Sequence, residues 1–275
     1  MINITVLIPT YNRYDNVLPL SLMSIVNQSR IPDRVILIDD SPVKKFYNYQ
    51  TLKTILILFK EKNIQFDYFY GQSKGMCPAL QMGLDDIEDG WVLKMDDDHI
   101  LEYNTIELLE KNIKDNVGAI SGMILEKEKK FIFKPTSIDN IYNKIENIYT
   151  ESGIQLLRNQ DNNIKKVEHL YSLYFFNRKL SEDYPIELQP SGNREDTIFT
   201  YTIFKKGYDL IFDPNIKIYH LPTTKADILF EKKHLEWFFI DKLKEWNIVP
   251  QKLQFKEIDN KIILTKNGKD YIIKL

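Results

Sequence analysis

The sequence has one cysteine, Cys77, among its 275 residues. A single cysteine excludes an intrachain disulfide and a cysteine-rich zinc site, so a reducing compartment such as the cytoplasm is expected. No run approaches the roughly 20 consecutive apolar residues that span a bilayer, and the first residues lack the basic region of a signal peptide. We therefore expect a cytoplasmic protein whose contact with membranes, if any, is peripheral.

A surplus of positive charge is also missing. Lys and Arg number 37 against 39 Asp and Glu, which gives a net charge of −2. Proteins dedicated to nucleic acid binding carry an excess of cations that neutralise phosphates, so we expect no nucleic acid partner. Hydrophobic residues make up 43% of the chain. This is enough for one large domain or two small ones with a sizeable core.

Short apolar runs rich in β-branched residues alternate with segments of helical period in the first half of the chain. The predicted strands are residues 4–8, 34–38, 64–70, 91–95 and 119–125. Strands that alternate with helices indicate βαβ crossovers, and continuous apolar strands fit a sheet covered on both faces. The predicted fold class is α/β, with a Rossmann-like, mainly parallel sheet flanked by helices.

The second half of the chain shows weaker patterns. Residues 126–166 have no clear period, strands are predicted at 169–176, 210–212 and 216–219, and helices at 196–206 and 226–246. The last residues suggest strands with a hairpin turn at Asn267 and Gly268. In the last helix, Phe230 and Trp237 lie opposite the main apolar face. They are covered either by the C-terminal strands or by a second subunit, a lipid-linked acceptor or a membrane surface.

Polar residues follow the predicted strands where each strand ends. After the first four strands the sequence reads PTYNR, DDSP, GQSKG and MDDDH. Ligands of open α/β sheets bind beyond the carboxyl ends of the strands, where these stretches converge. The sequence therefore predicts a binding site at this edge of the sheet.

Three adjacent carboxylates, Asp96, Asp97 and Asp98, follow the fourth predicted strand. They repel one another unless a cation neutralises them, and Mg²⁺ or Mn²⁺ with carboxylate, water and phosphate ligands is the usual solution. The alternative is a solvated acidic turn or a helix cap. Their place directly after a buried strand favours the metal.

Three further positions each have a functional and a structural interpretation. Asp39 could accept the imide N–H of a uracil or the hydroxyls of a ribose, or it could form a turn. Glu195 and Asp196 could supply a general base or cap the helix that begins there. His220 could complete a site with Asp98, although a lone histidine is more often structural.

Six segments carry a resemblance to a known family. In chain order they are VLIPTYNR, VILIDDSP, the stretch from Gly75 to Gly83, MDDDHILEYNTIELL, REDTIFTYTIFKKGY and IYHL. Their order and spacing over residues 2–221 resemble the family 2 glycosyltransferases of the GT-A fold. The resemblance implies a nucleotide-sugar-binding and catalytic domain at residues 1–221 and a C-terminal helix and β-hairpin extension at 222–275.

The resemblance also implies roles for single residues. The nucleotide would be held by residues of the first loops and strand ends, namely Pro9, Thr10, Tyr11, Arg13, Asp39 and Lys74. The D-x-D motif corresponds to Asp96 and Asp98, with Asp97 between them in the donor site. Asp96 would face the ribose or phosphate, Asp98 and His220 would bind the metal, and Asp196 would be the general base. Many members have an acid where this chain has His99.

The predicted function is a metal-dependent, inverting glycosyltransferase that uses Mn²⁺ or Mg²⁺. It would move a sugar from a nucleotide-sugar donor to a glycan, lipid-linked or protein hydroxyl, in glycan or surface polysaccharide synthesis. A UDP-sugar is favoured because a carboxylate at Asp39 suits the N3–H of uracil. One alternative is a sugar-nucleotide nucleotidyltransferase, whose expected glycine-rich first loop is missing. The other is a catalytically silent nucleotide-sugar-binding protein, against which the retained acids speak.

Overall fold

The structure is a computed structural model of the chain. It describes residues 2–72, 74–126, 132–134, 155–157, 163–187, 195–221, 245, 255–258, 261–266 and 269–274. The described residues form a mixed α/β structure with an eleven-stranded sheet and a three-stranded sheet. The predicted α/β fold class with a mainly parallel first half is confirmed.

The first half of the chain builds four parallel strands in the order β3-β2-β1-β4. The elements are β1 (Ile4–Thr10), α1 (Leu18–Val26), β2 (Arg34–Asp39), α2 (Gln50–Glu61), β3 (Gln65–Tyr70), α3 (Met76–Asp85) and β4 (Trp91–Lys94). Every residue of β1 and β4 is buried. This double-sided burial explains why the strands are continuous apolar runs in the sequence.

The second half adds shorter and more varied elements. They are β5 (His99–Leu101), α4 (Thr105–Lys111), β6 (Val117–Glu126), β7 (Ile132–Lys134), β8 (Gln155–Leu157), β9 (Lys165–Val167), β10 (Tyr174–Asn177), α5 (Glu195–Lys205) and β11 (Asp209–His220). Short 3₁₀ helices occur at Phe46–Asn48 and Arg178–Leu180. Three of these strands, β7 to β9, lie within or close to the segment that has no clear sequence period.

The antiparallel strand β10 lies between β4 and β6, and β6 pairs in parallel with β11. Strands β1, β2, β3, β4, β6 and β11 therefore end at the same edge of the sheet, and β10 begins there. Strand β5 runs antiparallel to β11 and places His99 opposite His220. The topology thus gathers six strand ends and the first residues of β5 and β10 along one edge.

Two predicted elements of the second half differ from the structure. The strand predicted over 169–176 begins only at Tyr174, and it is antiparallel to both of its neighbours. The strands predicted at 210–212 and 216–219 are one strand, β11, whose pairing with β6 shifts register between Asp213 and Lys217. At this bulge the strand continues past the irregular residues and stays paired with β6. In the sequence the same residues interrupt the apolar pattern and suggest two separate strands.

Helices cover both faces of the sheet. Along β1, Leu7 packs into the cluster that contains α3 and α5, whereas Val6 and Ile8 pack into the cluster beneath α1, α2 and α4. Helix α3 comes very close to the sheet at Gly83, where an added Cβ would meet the methyl groups of Leu7 and Ile38. Glycine therefore lets α3 pack on these side chains without displacing them.

The C-terminal segment contains β12 (Phe255–Ile258), β13 (Lys261–Lys266) and β14 (Lys269–Lys274), which form an antiparallel sheet. Lys266 pairs with Lys269, so two residues connect β13 and β14, as the sequence predicts. The helix predicted over 226–246, with Phe230 and Trp237, lies outside the described residues apart from Glu245. In the described part of the chain, no helix combines the length and the apolar character required to span a bilayer.

Candidate active site

The three adjacent aspartates point to three different partners. Asp97 turns toward the loop after β1, where it accepts hydrogen bonds from the Thr10 hydroxyl at 2.6 Å and from Arg13 Nη1 at 2.9 Å. Burial raises the pKa of Asp97 to about 7, although Arg13 opposes the rise. Asp97 therefore ties the first loop to the end of β4 rather than offering an open carboxylate.

Asp98 lies between Arg13 and His220. One carboxylate oxygen, Oδ2, accepts a hydrogen bond from Arg13 Nη1 at 2.6 Å, and the other, Oδ1, lies 3.5 Å from His220 Nε2. Burial would raise the pKa of Asp98, but the contact with His220 and the hydrogen bond from Arg13 act against it, and the pKa lies below its usual range. Asp98 is thus an ionised carboxylate with one oxygen facing an imidazole.

Asp98, His99 and His220 each place one possible ligand atom within 4.8 Å of the others. The ring of His99 is already engaged, because Nδ1 accepts the N–H of Asp96 at 3.1 Å and Nε2 lies 3.1 Å from Ser172 Oγ. Burial lowers the pKa of His99 to about 4, so the ring is neutral at physiological pH. The pair that fits a cation is therefore Asp98 with His220, the two ligands that the family resemblance implies.

Asp96 turns away from Asp98 toward a buried lysine. The Nζ of Lys94 donates to Asp96 Oδ1 at 2.8 Å and to the carbonyl oxygen of Ser172 at 3.0 Å, and it lies 3.8 Å from Glu195 Oε1. The Lys94 side chain has no exposed surface. Burial alone would lower the pKa of Lys94, but the charges of Asp96 and Glu195 outweigh it and raise the pKa. Lys94 is therefore a buried cation among carboxylates.

Glu195 and Asp196 form the first turn of α5 and are both buried. The two carboxylate oxygens of Asp196 accept the backbone N–H groups of Ser172 at 2.7 Å and Thr197 at 2.6 Å. Burial raises the pKa of Asp196, and burial together with the charge of Asp196 raises that of Glu195. Asp196 is thus held in a fixed orientation at a helix start.

Asp39 lies at the end of β2 and is fully buried. Its Oδ2 accepts hydrogen bonds from the hydroxyls of Tyr14 and Tyr68, and its Oδ1 accepts the N–H of Ser41 at 3.1 Å. Burial, with the Asp39 carboxylate as acceptor, raises the pKa of Tyr14 to about 12. Asp39 is therefore an ordered acceptor with one coordination position left on Oδ1.

The remaining predicted nucleotide residues are less closely grouped. Pro9 is buried within β1 opposite Ile38, and Tyr11 begins the loop after β1. The backbone N–H of Lys74 donates to Asp40 Oδ1 at 2.8 Å, which ties the loop before α3 to the end of β2. The structure thus groups Thr10 and Arg13 with the aspartates and leaves the other predicted contacts on neighbouring loops.

Four site residues are missing from the sequence-based set, namely Tyr14, Tyr68, Lys94 and Ser172. Lys94 had a signal, because a lysine inside a buried strand directly before acids needs a counter-charge. Tyr14, Tyr68 and Ser172 had none, since their hydroxyls meet the acids only through the tertiary fold.

The architecture of the sheet and its helices is similar to that of the GT-A glycosyltransferases, so the chain has the GT-A fold. The profile of the family described as Glycosyl transferase family 2 matches residues 5–183, more than half of the sequence, and the chain belongs to that family. The predicted family is thereby confirmed. No curated protein sequence matches the chain significantly.

Solved structures resemble the chain in fold. GalNAc-T7 with UDP, GalNAc and Mn²⁺ has a TM-score of 0.65 at 14% identity, covering 90% of this chain and 50% of that chain. TarS of S. aureus has a TM-score of 0.57 at 14% identity, with 98% and 60% covered. The mannosyltransferase PcManGT from Pyrobaculum calidifontis, in complex with GDP-Man and Mn²⁺, has a TM-score of 0.53 at 17% identity, with 86% and 59% covered. The chain therefore spans only half to three-fifths of the length of these proteins.

Proposed function

We propose that this chain transfers a sugar, with inversion, from a nucleotide-sugar donor to a hydroxyl acceptor and requires a divalent cation. The observation that carries the proposal is the pairing of Asp98 with His220 at the carboxyl edge of the sheet, in a member of Glycosyl transferase family 2. Membership of this family favours glycosyl transfer over nucleotidyl transfer. The acceptor is a glycan, lipid-linked or protein hydroxyl.

Asp98 and His220 are the residues that would hold Mn²⁺ or Mg²⁺. Their facing atoms lie 3.5 Å apart, close to the separation of about 3 Å between adjacent ligands of an octahedral ion. Arg13 engages Oδ2 of Asp98, whereas Oδ1 faces His220, so the two proposed ligand atoms lie on the side away from that ion pair. The bound cation would neutralise the diphosphate and stabilise the charge that develops on the leaving nucleotide. The Mn²⁺ in the GalNAc-T7 and PcManGT structures supports this assignment.

Uracil is the proposed base of the donor nucleotide. Oδ1 of Asp39 has one acceptor position left, which suits the single N3–H donor of uracil. Because Asp39 has no exposed surface, the base reaches it only if a covering side chain moves. The structure of GalNAc-T7 with UDP supports a uridine donor, whereas PcManGT, a protein of similar fold, was solved with GDP-Man.

Asp196 is the proposed general base. Its carboxylate is oriented by two backbone N–H groups and keeps further acceptor positions, and its raised pKa makes it a better proton acceptor than an ordinary aspartate. Asp196 would take the proton of the acceptor hydroxyl while that oxygen attacks the anomeric carbon opposite the leaving group. Glu195, 3.8 Å from Lys94, would have a supporting role.

Residues 1–221 are the proposed donor-binding and catalytic unit, because every side chain in this argument lies before residue 222. Residues 222–275 are the proposed extension, in which β12, β13 and β14 pair only with one another among the described strands. Contact of the extension with a second subunit or a membrane surface stays a proposal, tested by the effect of Trp237→Ala on oligomeric state and liposome binding.

The test of the proposed function is a panel of nucleotide sugars with Mn²⁺, followed by donor hydrolysis, which needs no acceptor. UDP affinity is measured alongside by calorimetry. Asp98→Asn should weaken Mn²⁺-dependent UDP binding by about 100-fold or more, because it removes a direct ligand. Asp67→Asn is the matched control, since Asp67 pairs with Arg34 away from the site and its replacement should leave UDP affinity unchanged.

Two results would contradict the proposal. Unchanged UDP affinity of Asp98→Asn would remove the metal assignment. Release of pyrophosphate from UTP and a sugar phosphate, without hydrolysis of any nucleotide sugar, would identify a nucleotidyltransferase instead.

A further inference from the structure

We propose that Ser172 is a positioning residue that joins the donor-side carboxylate of Asp96 to the base Asp196. The inference rests on the proposed function, since it concerns how the proposed base and the proposed donor site are held. Ser172 immediately precedes the buried residues that lead into β10, at the edge where the parallel strands end. It is therefore the point at which the antiparallel strand enters the site.

All three polar groups of Ser172 are used by the site. The hydroxyl lies 3.1 Å from Asp96 Oδ2, to which it donates, and 3.1 Å from His99 Nε2. The backbone N–H donates to Asp196 Oδ2 at 2.7 Å, and the carbonyl oxygen accepts from Lys94 Nζ at 3.0 Å. One residue thus contacts Asp96 of the aspartate triplet, the proposed base Asp196 and the buried cation beside them.

The hydrogen bonds of the Ser172 hydroxyl with Asp96 and His99 require one arrangement of protons. Because His99 Nδ1 accepts the N–H of Asp96, the proton of the neutral ring is on Nε2, which donates to Ser172 Oγ. The Ser172 hydroxyl proton is then free to go to Asp96 Oδ2. The other oxygen of Asp96 is held by Lys94, so loss of the Ser172 hydroxyl would leave Asp96 held on one side only.

The backbone of Ser172 is held in an unfavourable conformation. Its φ is +61°, in the left-handed region that non-glycine residues other than Asn and Asp rarely adopt. Such conformations persist where the surroundings over-determine them, and they cluster at functional sites. Here the contacts of the N–H with Asp196 and of the carbonyl oxygen with Lys94 both depend on this orientation of the two peptide groups.

The test compares Ser172→Ala with Ser172→Gly. Both lose the hydroxyl, so both should weaken Mn²⁺-dependent UDP binding by about fivefold, the usual effect of one hydrogen bond. Glycine relieves the positive φ, so Ser172→Gly should melt at a higher temperature than Ser172→Ala. The kcat for donor hydrolysis should nevertheless fall further in Ser172→Gly, because a freer peptide orients Asp196 less well.

Asn63→Gly is the matched control. Asn63 also has a positive φ, of 57°, but it lies in the turn between α2 and β3, at the opposite end of β3 from the site. Its replacement by glycine should leave UDP affinity and kcat unchanged. A merely structural role for Ser172 predicts that function follows stability, with Ser172→Ala the weaker variant in every assay.

The outcomes are distinguishable. Equal losses of UDP affinity, with kcat lowest in the more stable Ser172→Gly, would support the inference. Wild-type binding and turnover in both variants, or losses that follow melting temperature, would overturn it while leaving the proposed function intact. If the wild-type chain itself shows no Mn²⁺-dependent UDP binding, the proposed function fails, and the inference fails with it.

Discussion

The two ends of the candidate site, around Asp98 and around Asp196, place these two carboxylates in opposite electrostatic environments. On the proposed metal side, Asp98 faces Arg13 and the one-third exposed side chain of His220, and its pKa is held below the usual range. On the proposed base side, Glu195 and Asp196 are buried and their pKa values are raised. Different environments shift the pKa values of two carboxylates in opposite directions. One site can then contain both a carboxylate that stays charged and one that accepts a proton.

Asp96 and Lys94 separate these two sides. Asp96 belongs by sequence to the aspartate triplet, but its carboxylate contacts Lys94 and Ser172 rather than Arg13 or His220. Lys94 then supplies the positive charge for the buried side, as a cation would for the open side. The comparison teaches that adjacent acids need not share a role, because the direction of each side chain decides its environment.

The largest expected effect comes from removing the proposed base. Asp196→Asn should lower kcat by about 1,000-fold or more with donor affinity within a few-fold of wild type, because it removes a proton acceptor and preserves the shape. The amide keeps one oxygen for a backbone N–H, so the fold should persist. The measurement is donor hydrolysis or transfer together with UDP calorimetry.

Glu195→Gln is the control for that experiment, since Glu195 is the neighbouring acid in the same helical turn. It should retain most of the turnover. An inactive Glu195→Gln beside an active Asp196→Asn would show that the two acids have the reverse roles.

A smaller but global effect is expected from Lys94→Met, which breaks the buried charge cluster. The variant leaves the ionised Asp96 without its buried cation, and we expect the free energy of unfolding to fall by about 3 kcal/mol, as for one partner of a buried ion pair. Denaturant unfolding measures it. Lys94→Met combined with Asp96→Asn should recover part of the loss, because the carboxylate that Lys94 neutralises is then removed as well.

The control for this prediction is Lys111→Met. Lys111 pairs with Glu107 on the exposed face of α4, and its side chain is 65% exposed, so its loss should cost less than about 0.5 kcal/mol. Equal losses for the two lysines would show that the charges around Lys94 contribute nothing specific.

The first half of the fold could be predicted because its strands are parallel and covered on both faces. Double-sided burial makes β1, β2 and β4 uniform apolar runs, and the helices between them carry their own period. Strands β5 and β10 are only three and four residues long. Their partners lie far away in sequence, so tertiary contacts and not local pattern determine them.

The candidate site also has a part that the sequence predicts and a part that only the fold determines. The rule that ligands bind at strand ends was enough to select Thr10, Asp39 and the aspartate triplet, because local sequence places them there. The separate directions of Asp96, Asp97 and Asp98 could not be predicted, since they depend on Ser172 and Arg13, which reach them through the fold. A residue such as Ser172, used mainly through its backbone, leaves no pattern in the sequence.

The smallest expected effect is a change with pH in the free energy of unfolding that Glu195 causes. Because burial raises the pKa of Glu195, the folded protein keeps a proton that the unfolded chain has already released. The stability that this proton contributes is complete below the unfolded pKa and is lost as pH rises toward the folded one. Glu195→Gln cannot lose a proton, so its free energy of unfolding relative to wild type should increase as the pH is raised from about 5 to about 8.

The measurement is denaturant unfolding of both proteins across that range, with Glu107→Gln as the control. Glu107 is exposed and its pKa is lowered by Lys111 and Ser29, so its contribution changes only at more acidic pH and the control should run parallel to wild type. Asp98 behaves likewise, because a lowered pKa gives stability that is lost only as pH falls. If the advantage of Glu195→Gln shrinks as pH rises, then Glu195 is ionised in the folded protein. Its contact with Lys94 would then outweigh burial, and the two sides of the site would both hold charged carboxylates.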